Sequence, residues 1–385
     1  MRVWYFSENA YPYLPNGLDN LRVTLPNRLY DPKIGAALYS RYFDEWQLAD
    51  EEGLDLMCNE HHQTAINLNP AAPLVMAVLA RITKRARLLV LGNPIANRRD
   101  PVRVAEEMAM IDNYSRGRLE VGFVRGVPYE ISAANANPMR TMDRLWEAHD
   151  LIVKAWTTHD APFNWEGRYF QHRQVNVWPR PYQEPHPPVW ITSITPSSMA
   201  RIAEHGYTTA TFLTGVGPTK TGFDAYRQRR HELDLPMAED RLAYSGIVYV
   251  GDTDQEGFDG ARKIMWVITH NLAALQFKIP PGYAPARARL QVMRGKAGLL
   301  HGLDTSIEAL VDQGIAFAGN PDTVYRQIER HYRAVGGYGH LLMLGQSGFL
   351  EHDETEKGIR RFARDVYPRL KGLGTEPVRE AQTAR

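Results

Sequence analysis

Residues 87–93, RLLVLGN, and 340–345, HLLMLG, are apolar through almost their whole length. A strand with one wet face alternates apolar and polar residues. A run that is apolar at every position suits a strand covered on both faces, as in a parallel sheet clad by helices. Short apolar runs that make candidate strands recur along the chain, at Val3–Phe6, Leu54–Cys58, Leu88–Leu91, Leu119–Val124, Val189–Ile191, Thr208–Leu213, Ile247–Val250 and Leu341–Leu344. Helical patterns fall between them. In residues 100–117, DPVRVAEEMAMIDNYSRG, Asp100 can cap a helix whose first position is Pro101. Val104, Met108 and Ile111 share one face of it, and Gly117 supplies a stop. Ile359, Phe362, Val366 and Leu370 form another such stripe. Eight strands alternating with helices predict an α/β fold, a (β/α)8 TIM barrel rather than an open sheet.

Two stretches interrupt the alternation. Residues 160–188 hold aromatics and a proline cluster that excludes a long helix, and a small β-hairpin followed by an extended segment fits them. Residues 271–305 show no clean period, and a connection of that length is a lid, a binding loop or a surface segment. Both read as insertions into a single domain spanning 1–373, with 374–385 as a flexible tail.

Lys and Arg number 45 against 44 Asp and Glu, so there is no basic excess to suggest a nucleic-acid partner. The single Cys58 excludes an internal disulfide and suits a reducing cytoplasm. No apolar run is long enough for a membrane span, and MRVWYFSENA at the start lacks the apolar region of a signal peptide. A cytoplasmic protein is expected.

Barrel enzymes build their sites at the carboxyl ends of the strands. There the second strand runs into Asn59-Glu60-His61-His62. One such histidine would be an ordinary strand cap, but three adjacent chemical groups at this position point to function. Neighbouring side chains in an extended segment point opposite ways, so the two imidazoles should not share one role. No H-E-x-x-H, H-x-H or C-x-x-C spacing supplies further metal ligands, and no metal is expected. After the third strand come Gly92, Asn93 and Pro94, either a plain turn or a place where backbone approaches a planar ligand. After the fourth comes Arg125 beside Gly126, a salt-bridge partner or an anion site. After the fifth, Thr195, Pro196, Ser197 and Ser198 crowd a helix start, which serves N-capping or phosphate binding.

Taken together, these stretches resemble the bacterial luciferase-like flavin monooxygenases, (β/α)8 barrels, over nearly the whole chain. The likeness is carried in order by GLDLMCNEHH (53–62), DPVRVAEEMAMIDNYSRGRLEVGFVRG (100–126), the insertion before the fifth strand, and GNPDTVYRQIERHYRAVGGYGHLLML (319–344). The resemblance implies that His61 lies near the reactive edge of the flavin as a catalytic base, with Glu60 and His62 orienting it or meeting substrate. It implies that Arg125, Thr195 and Ser198 contact the FMN phosphate, and that backbone at Gly92 and Asn93 passes under the ring, with a non-prolyl cis bond at Gly92–Asn93. Three departures stand out. Val124 replaces a reactive cysteine, which speaks against light emission. Ile194 replaces an acidic residue, and residues 17–35 lengthen the first loop on the active-site face.

The implied activity is that of a two-component monooxygenase. It takes FMNH2 from a separate NAD(P)H-dependent flavin reductase and oxygenates a small organic substrate with O2 through a C4a-(hydro)peroxyflavin. Within enzymes the alternative is an F420-dependent oxidoreductase on the same barrel. Outside them it is a flavin-binding protein without turnover, which would have no use for Glu60-His61-His62. A homodimer or higher homo-oligomer is expected.

Overall fold

The computed structural model describes residues 1–18, 21–193, 195–237, 239–266, 279–294 and 306–373. Its strands are β1 (Arg2–Ser7), β2 (Asp55–Cys58), β3 (Leu88–Asn93), β4 (Leu119–Phe123), β5 (Phe163–Glu166), β6 (Gln171–Val175), β7 (Val189–Ile191), β8 (Thr209–Phe212), β9 (Leu242–Val250), β10 (Ala316–Gly319) and β11 (His340–Gln346). Parallel pairing runs β9–β11–β1–β2–β3–β4–β7, and β8 pairs with β9. The ring closes between β7 and β8. A parallel bridge joins Trp190 to Thr208, with Ile191 N–H donating to the Thr208 carbonyl at 2.9 Å and Thr208 N–H to the Val189 carbonyl at 3.2 Å. Eight strands therefore form the barrel that the apolar runs predict.

Two details differ from the sequence reading. β10 was not among the expected strands. It lies outside the ring, pairing with Ile247–Val250, the second half of β9. Its four residues, AFAG, are too short and too small in side chain to show a strand pattern. β9 also begins at Leu242 rather than Ile247, because Ser245 and Gly246 break the apolar run without breaking the pairing. Residues 160–188 do contain a hairpin, the antiparallel pair β5–β6. Of the insertion at 271–305 only 279–294 falls among the described residues, with a helix at Ala286–Met293. The tail at 374–385 lies outside them.

Side chains along the strands divide the core in two. Trp4, Phe6, Met57, Leu89, Leu91, Trp190, Leu342 and Leu344 belong to one buried cluster. Their neighbours Val3, Tyr5, Leu56, Cys58, Leu88, Val90, Leu341 and Met343 belong to another, packed with Trp46, Met76, Met108, Leu151 and Trp156 of the helices. This is the two-residue alternation of a strand with both faces covered: one set fills the barrel and the other meets the helical coat. The coat opens with α1 (Pro32–Glu51), α2 (Ala72–Ile82), α3 (Pro101–Ser115), α4 (Pro128–Ala133) and α5 (Thr141–Thr157). It continues with α6 (Pro196–His205), α7 (Val216–Glu232) and α8 (Asp254–Ile264). Asp100 caps α3 by accepting from the N–H groups of Val102 and Arg103, and the helix ends at Arg116 and Gly117 in left-handed conformation. No described helix is long and apolar enough to cross a membrane.

The amino-terminal end of the barrel is plugged. Trp4 and Trp190 meet edge to face at 5.5 Å, and Trp190 lies 4.8 Å from the His340 ring. Trp4 Nε1 donates to His340 Nδ1 at 3.0 Å, and His340 Nε2 donates to the Asp240 carbonyl at 2.8 Å. That pattern requires a neutral imidazole protonated at Nε2. Burial pushes the pKa of His340 from its ordinary 6.5 to about 3, and does the same to His331 beneath Tyr244. The unfolded chain takes up these protons below pH 6.5, whereas the folded chain resists them until about pH 3. Stability owed to the neutral rings is complete above the unfolded value and is lost progressively as pH falls from there toward the folded one. Urea denaturation across a pH series should show this decline, and His340→Gln should make it shallower. An unchanged slope would mean that His340 is not the titrating plug.

Candidate active site

The opposite, carboxyl end of the barrel is polar, and its organisation starts at Glu60. The Glu60 side chain is fully buried, so its carboxylate must be satisfied by protein donors. Arg98 supplies two hydrogen bonds from Nη2, one to each oxygen at 2.8 Å. The first N–H of α2, from Ala72, donates to Oε2 at 3.1 Å, and His62 Nε2 lies 2.9 Å from Oε1. Glu60 is thus committed to joining the loops after β2 and β3. Arg98 Nε also donates to Asn93 Oδ1 at 3.2 Å, which orients the amide of Asn93.

His61 turns the other way, as an extended segment requires. Its Nδ1 lies 2.8 Å from Glu130 Oε1 and 3.2 Å from the Tyr129 hydroxyl, both on α4. The same Glu130 oxygen accepts from the His62 backbone N–H at 3.1 Å and from the Tyr129 hydroxyl at 3.2 Å. Burial pushes the His61 imidazolium toward a lower pKa, but the charge of Glu130 and the hydrogen bond to it outweigh this, and the net shift is upward. For Glu130 burial alone would raise the pKa; His61 and the His62 N–H prevail and lower it. Both directions favour the ionised pair.

The first loop runs beside this pair. Arg22 bridges to Thr64 in antiparallel fashion, with Val23 N–H donating to the Gln63 carbonyl at 2.6 Å and Ala65 N–H to the Leu21 carbonyl at 3.2 Å. The Arg22 guanidinium lies 4.2 Å from the centre of the Tyr129 ring, close enough for a cation–π contact. Glu8, just past β1, accepts from Asn59 at 2.8 Å and Asn67 at 3.1 Å.

The remaining candidates sit as follows. Asn93 is fully buried, and its Nδ2 finds no hydrogen-bond partner among the described residues. The non-prolyl cis bond is Leu91–Gly92, one bond earlier than the resemblance implied. A Cβ on Gly92 would lie 2.3 Å from Val124 Cγ1, so the space that glycine leaves here is filled by Val124. Arg125 lies 4.0 Å from the Tyr283 ring centre. It donates to Thr141 Oγ1 at 2.6 Å, the Pro138 carbonyl at 3.1 Å and the Tyr283 carbonyl at 3.0 Å. The described part of the insertion therefore rests on Arg125. Gly126 has φ +87°, and a Cβ there would meet Asn97 Nδ2 at 2.5 Å. Thr195 precedes α6 without capping it through its side chain; its hydroxyl donates to Ser198 Oγ at 2.9 Å. No described contact joins Thr195 or Ser198 to Arg125. Among the described residues no cluster of three or more His, Cys, Asp or Glu could hold a metal ion.

Sequence reading missed Glu130, Tyr129, Arg98, Arg22 and Glu8. Glu8 and Arg98 follow strand ends and were within reach of the rule that found Glu60. Glu130 and Arg22 lie on connections whose path no local pattern reveals.

The packing at Gly92 yields a test. Gly92→Ala should destabilise the protein by about 1–3 kcal/mol through overpacking against the stiff Val124. Val124→Ala in the same chain should recover most of that in urea titrations. If the two losses simply add, Val124 is not the obstacle.

Residues 30–339 match the family described as luciferase-like monooxygenase. The oxygenase component of a flavin-dependent trigonelline monooxygenase from Acinetobacter baylyi is 30% identical over 183 residues, 46% of this chain and 50% of that protein. The chain thus spans about half the length of this relative. The 3,6-diketocamphane 1,6-monooxygenase of Pseudomonas putida is 22% identical, with 84% of this chain and 90% of that one aligned. Among solved structures, the oxygenating constituent of 3,6-diketocamphane monooxygenase in complex with FMN has a TM-score of 0.72 at 20% identity, covering 96% of this chain and 98% of the other. An F420-dependent secondary alcohol dehydrogenase has a TM-score of 0.66 at 16% identity, covering 95% and 98%. At such identities the structural likeness speaks to fold alone. The family match spans most of the chain, from α1 to the glycine before β11, and on it the protein belongs to the luciferase-like monooxygenase family.

Proposed function

We propose that the protein is the oxygenase component of a two-component, FMN-dependent monooxygenase. In this reading a separate NAD(P)H-dependent reductase delivers reduced FMN in the cytoplasm, and one oxygen atom of O2 goes to a small organic substrate. The observation that carries it is His61, held through Nδ1 by a buried carboxylate at the carboxyl end of the barrel, with its other ring nitrogen left without a protein partner among the described residues.

The donor set fits a flavin. The unpaired Asn93 amide offers a hydrogen bond beside the β3 end, where a planar polar ring could take it. At α6 the two hydroxyls bond each other rather than capping the helix, so the N–H groups of its first turn have no side-chain cap and suit a phosphate. Arg125 would add positive charge. Bound reduced flavin supplies the electrons that activate O2. The protein's part is to hold the flavin, exclude water with the first loop and Tyr129, and move a proton at His61 Nε2.

The relatives support a separate flavin supply, since one is an oxygenase component and another an oxygenating constituent in complex with FMN. The F420 alternative rests on a shared fold. Titration of the purified protein with FMN, photoreduced FMN and F420 separates the readings: reduced FMN should bind most tightly. Rapid NADPH oxidation by the isolated protein plus FMN would overturn the separate reductase.

Two substitution sets test the roles. His61→Ala should lower turnover by roughly 100-fold, as for a lost acid–base group, and leave affinity for reduced FMN nearly intact. Arg125→Ala with Thr195→Ala and Ser198→Ala should weaken reduced FMN binding by roughly 2–4 kcal/mol in total and leave reduced riboflavin almost unaffected. Equal losses for both flavins would mean that these residues only shape the loops.

A further inference from the structure

Glu130 Oε1 gathers the His61 ring, the His62 N–H and the Tyr129 hydroxyl within 3.2 Å, while Oε2 lies 3.3 Å from the Val127 N–H. An ionised carboxylate only accepts hydrogen bonds, so a ring nitrogen 2.8 Å from it must carry the proton. Nδ1 is therefore the protonated nitrogen in the neutral ring, and Tyr129 gives its hydrogen to Glu130 rather than to the ring. Nε2 stands at the opposite edge. Glu130 keeps only 3% of its side-chain surface exposed and His61 keeps 20%, so the accessible part of the pair is the imidazole.

We propose that Glu130 is a positioning residue for His61, fixing Nδ1 as a permanent donor and making Nε2 a proton donor in the resting enzyme. The pairing itself is independent of the flavin reading, and only the identity of the reacting oxygen rests on it. In the step, the Nε2–H bond breaks, its proton goes to an anionic oxygen at the reacting centre, and its electron pair stays on the ring. The ring becomes neutral with Nδ1–H still on Glu130, and a proton from solvent restores it. His61 then acts as a base only after it has first acted as an acid.

The groups facing the ring support this assignment. Glu130 and Tyr129 come from α4, Glu8 from the end of β1 and Arg22 from the first loop, while the adjacent Glu60 and His62 are engaged with each other and Arg98. Burial works against the imidazolium and so does Arg22; Glu130, followed by Glu8, works for it and prevails. His61's raised pKa makes its contribution to stability complete below its ordinary 6.5 and lost as pH rises through the folded value. Glu130's lowered pKa makes its contribution complete above its ordinary 4.5 and lost as pH falls through the folded value.

The test is a pH titration of the ring nitrogens of His61 by 15N NMR in the full-length protein, assigned by comparison with His61→Gln. In the wild type Nδ1 should stay protonated throughout and Nε2 should titrate. Glu130→Gln should move the midpoint to lower pH, Glu130→Asp should restore part of the shift, and Tyr129→Phe should leave the tautomer unchanged. A neutral wild-type ring protonated at Nε2 overturns the proposal, whether or not any Glu130 variant folds. An unchanged or higher midpoint in folded Glu130→Gln also overturns it. A second arm mixes photoreduced FMN with O2 in a stopped-flow instrument and follows formation of oxidised FMN against pH. The profile of Glu130→Gln should move to the acid side with the NMR midpoint. If the wild type ignores reduced FMN, the flavin reading fails while the NMR result still decides the role of Glu130.

Discussion

A carboxylate with no solvent cannot be left partly satisfied, and that constraint at Glu60 orders the whole carboxyl end of the barrel. Its fully buried oxygens take donors from Arg98, from the start of α2 and from His62. Each donor has a consequence. Arg98 fixes the side-chain oxygen of Asn93, which turns the unpaired amide to its own side. The bond to Ala72 anchors the helix that follows the site. The claim on His62 draws one imidazole away, so His61 is the one that reaches α4. A carboxylate in the core is rarely a source of net stability; here it holds the loops after β2 and β3 in one arrangement.

The two ends of the barrel meet the same problem differently. At the amino-terminal end Trp4, Trp190 and His340 close the interior with rings whose polar atoms are all paired: Trp4 with His340, His340 with the Asp240 carbonyl and Trp190 with the Glu120 carboxylate. Nothing there is left to react. At the carboxyl end the balance is between charges: Glu8, Glu60 and Glu130 against Arg22, Arg98 and a His61 whose proton is favoured. Small changes in what binds can shift that balance, which is what acid–base work needs.

Val124 and Tyr283 each occupy space beside a candidate cofactor-binding residue. The methyl group of Val124 fills the space that Gly92 leaves, joining the ends of β3 and β4. Tyr283 lays its ring on the guanidinium of Arg125 and accepts a hydrogen bond from it. An arginine desolvated in this way has its charge matched by a ring face and carbonyl oxygens. The Arg125 N–H donors now given to those oxygens would have to be shared with, or yielded to, any phosphate.

The amino-acid sequence carried the barrel. Strands covered on both faces favour apolar runs, and the eight runs match the eight strands of the ring, including one of only three residues, Val189–Ile191. It also determined that Glu60, His61 and His62 stand at a strand's carboxyl end, since chain order and fold class are enough for that. β10 was hidden because AFAG carries too little pattern, and the cis bond was placed one residue late. Partnership was settled by the folded chain alone. Glu130 follows His61 by 69 positions and Arg98 follows Glu60 by 38, on separate loops. No period or spacing records such pairs; they exist because closing the barrel brings the ends of β2, β3 and β4 side by side, where buried charges must find one another.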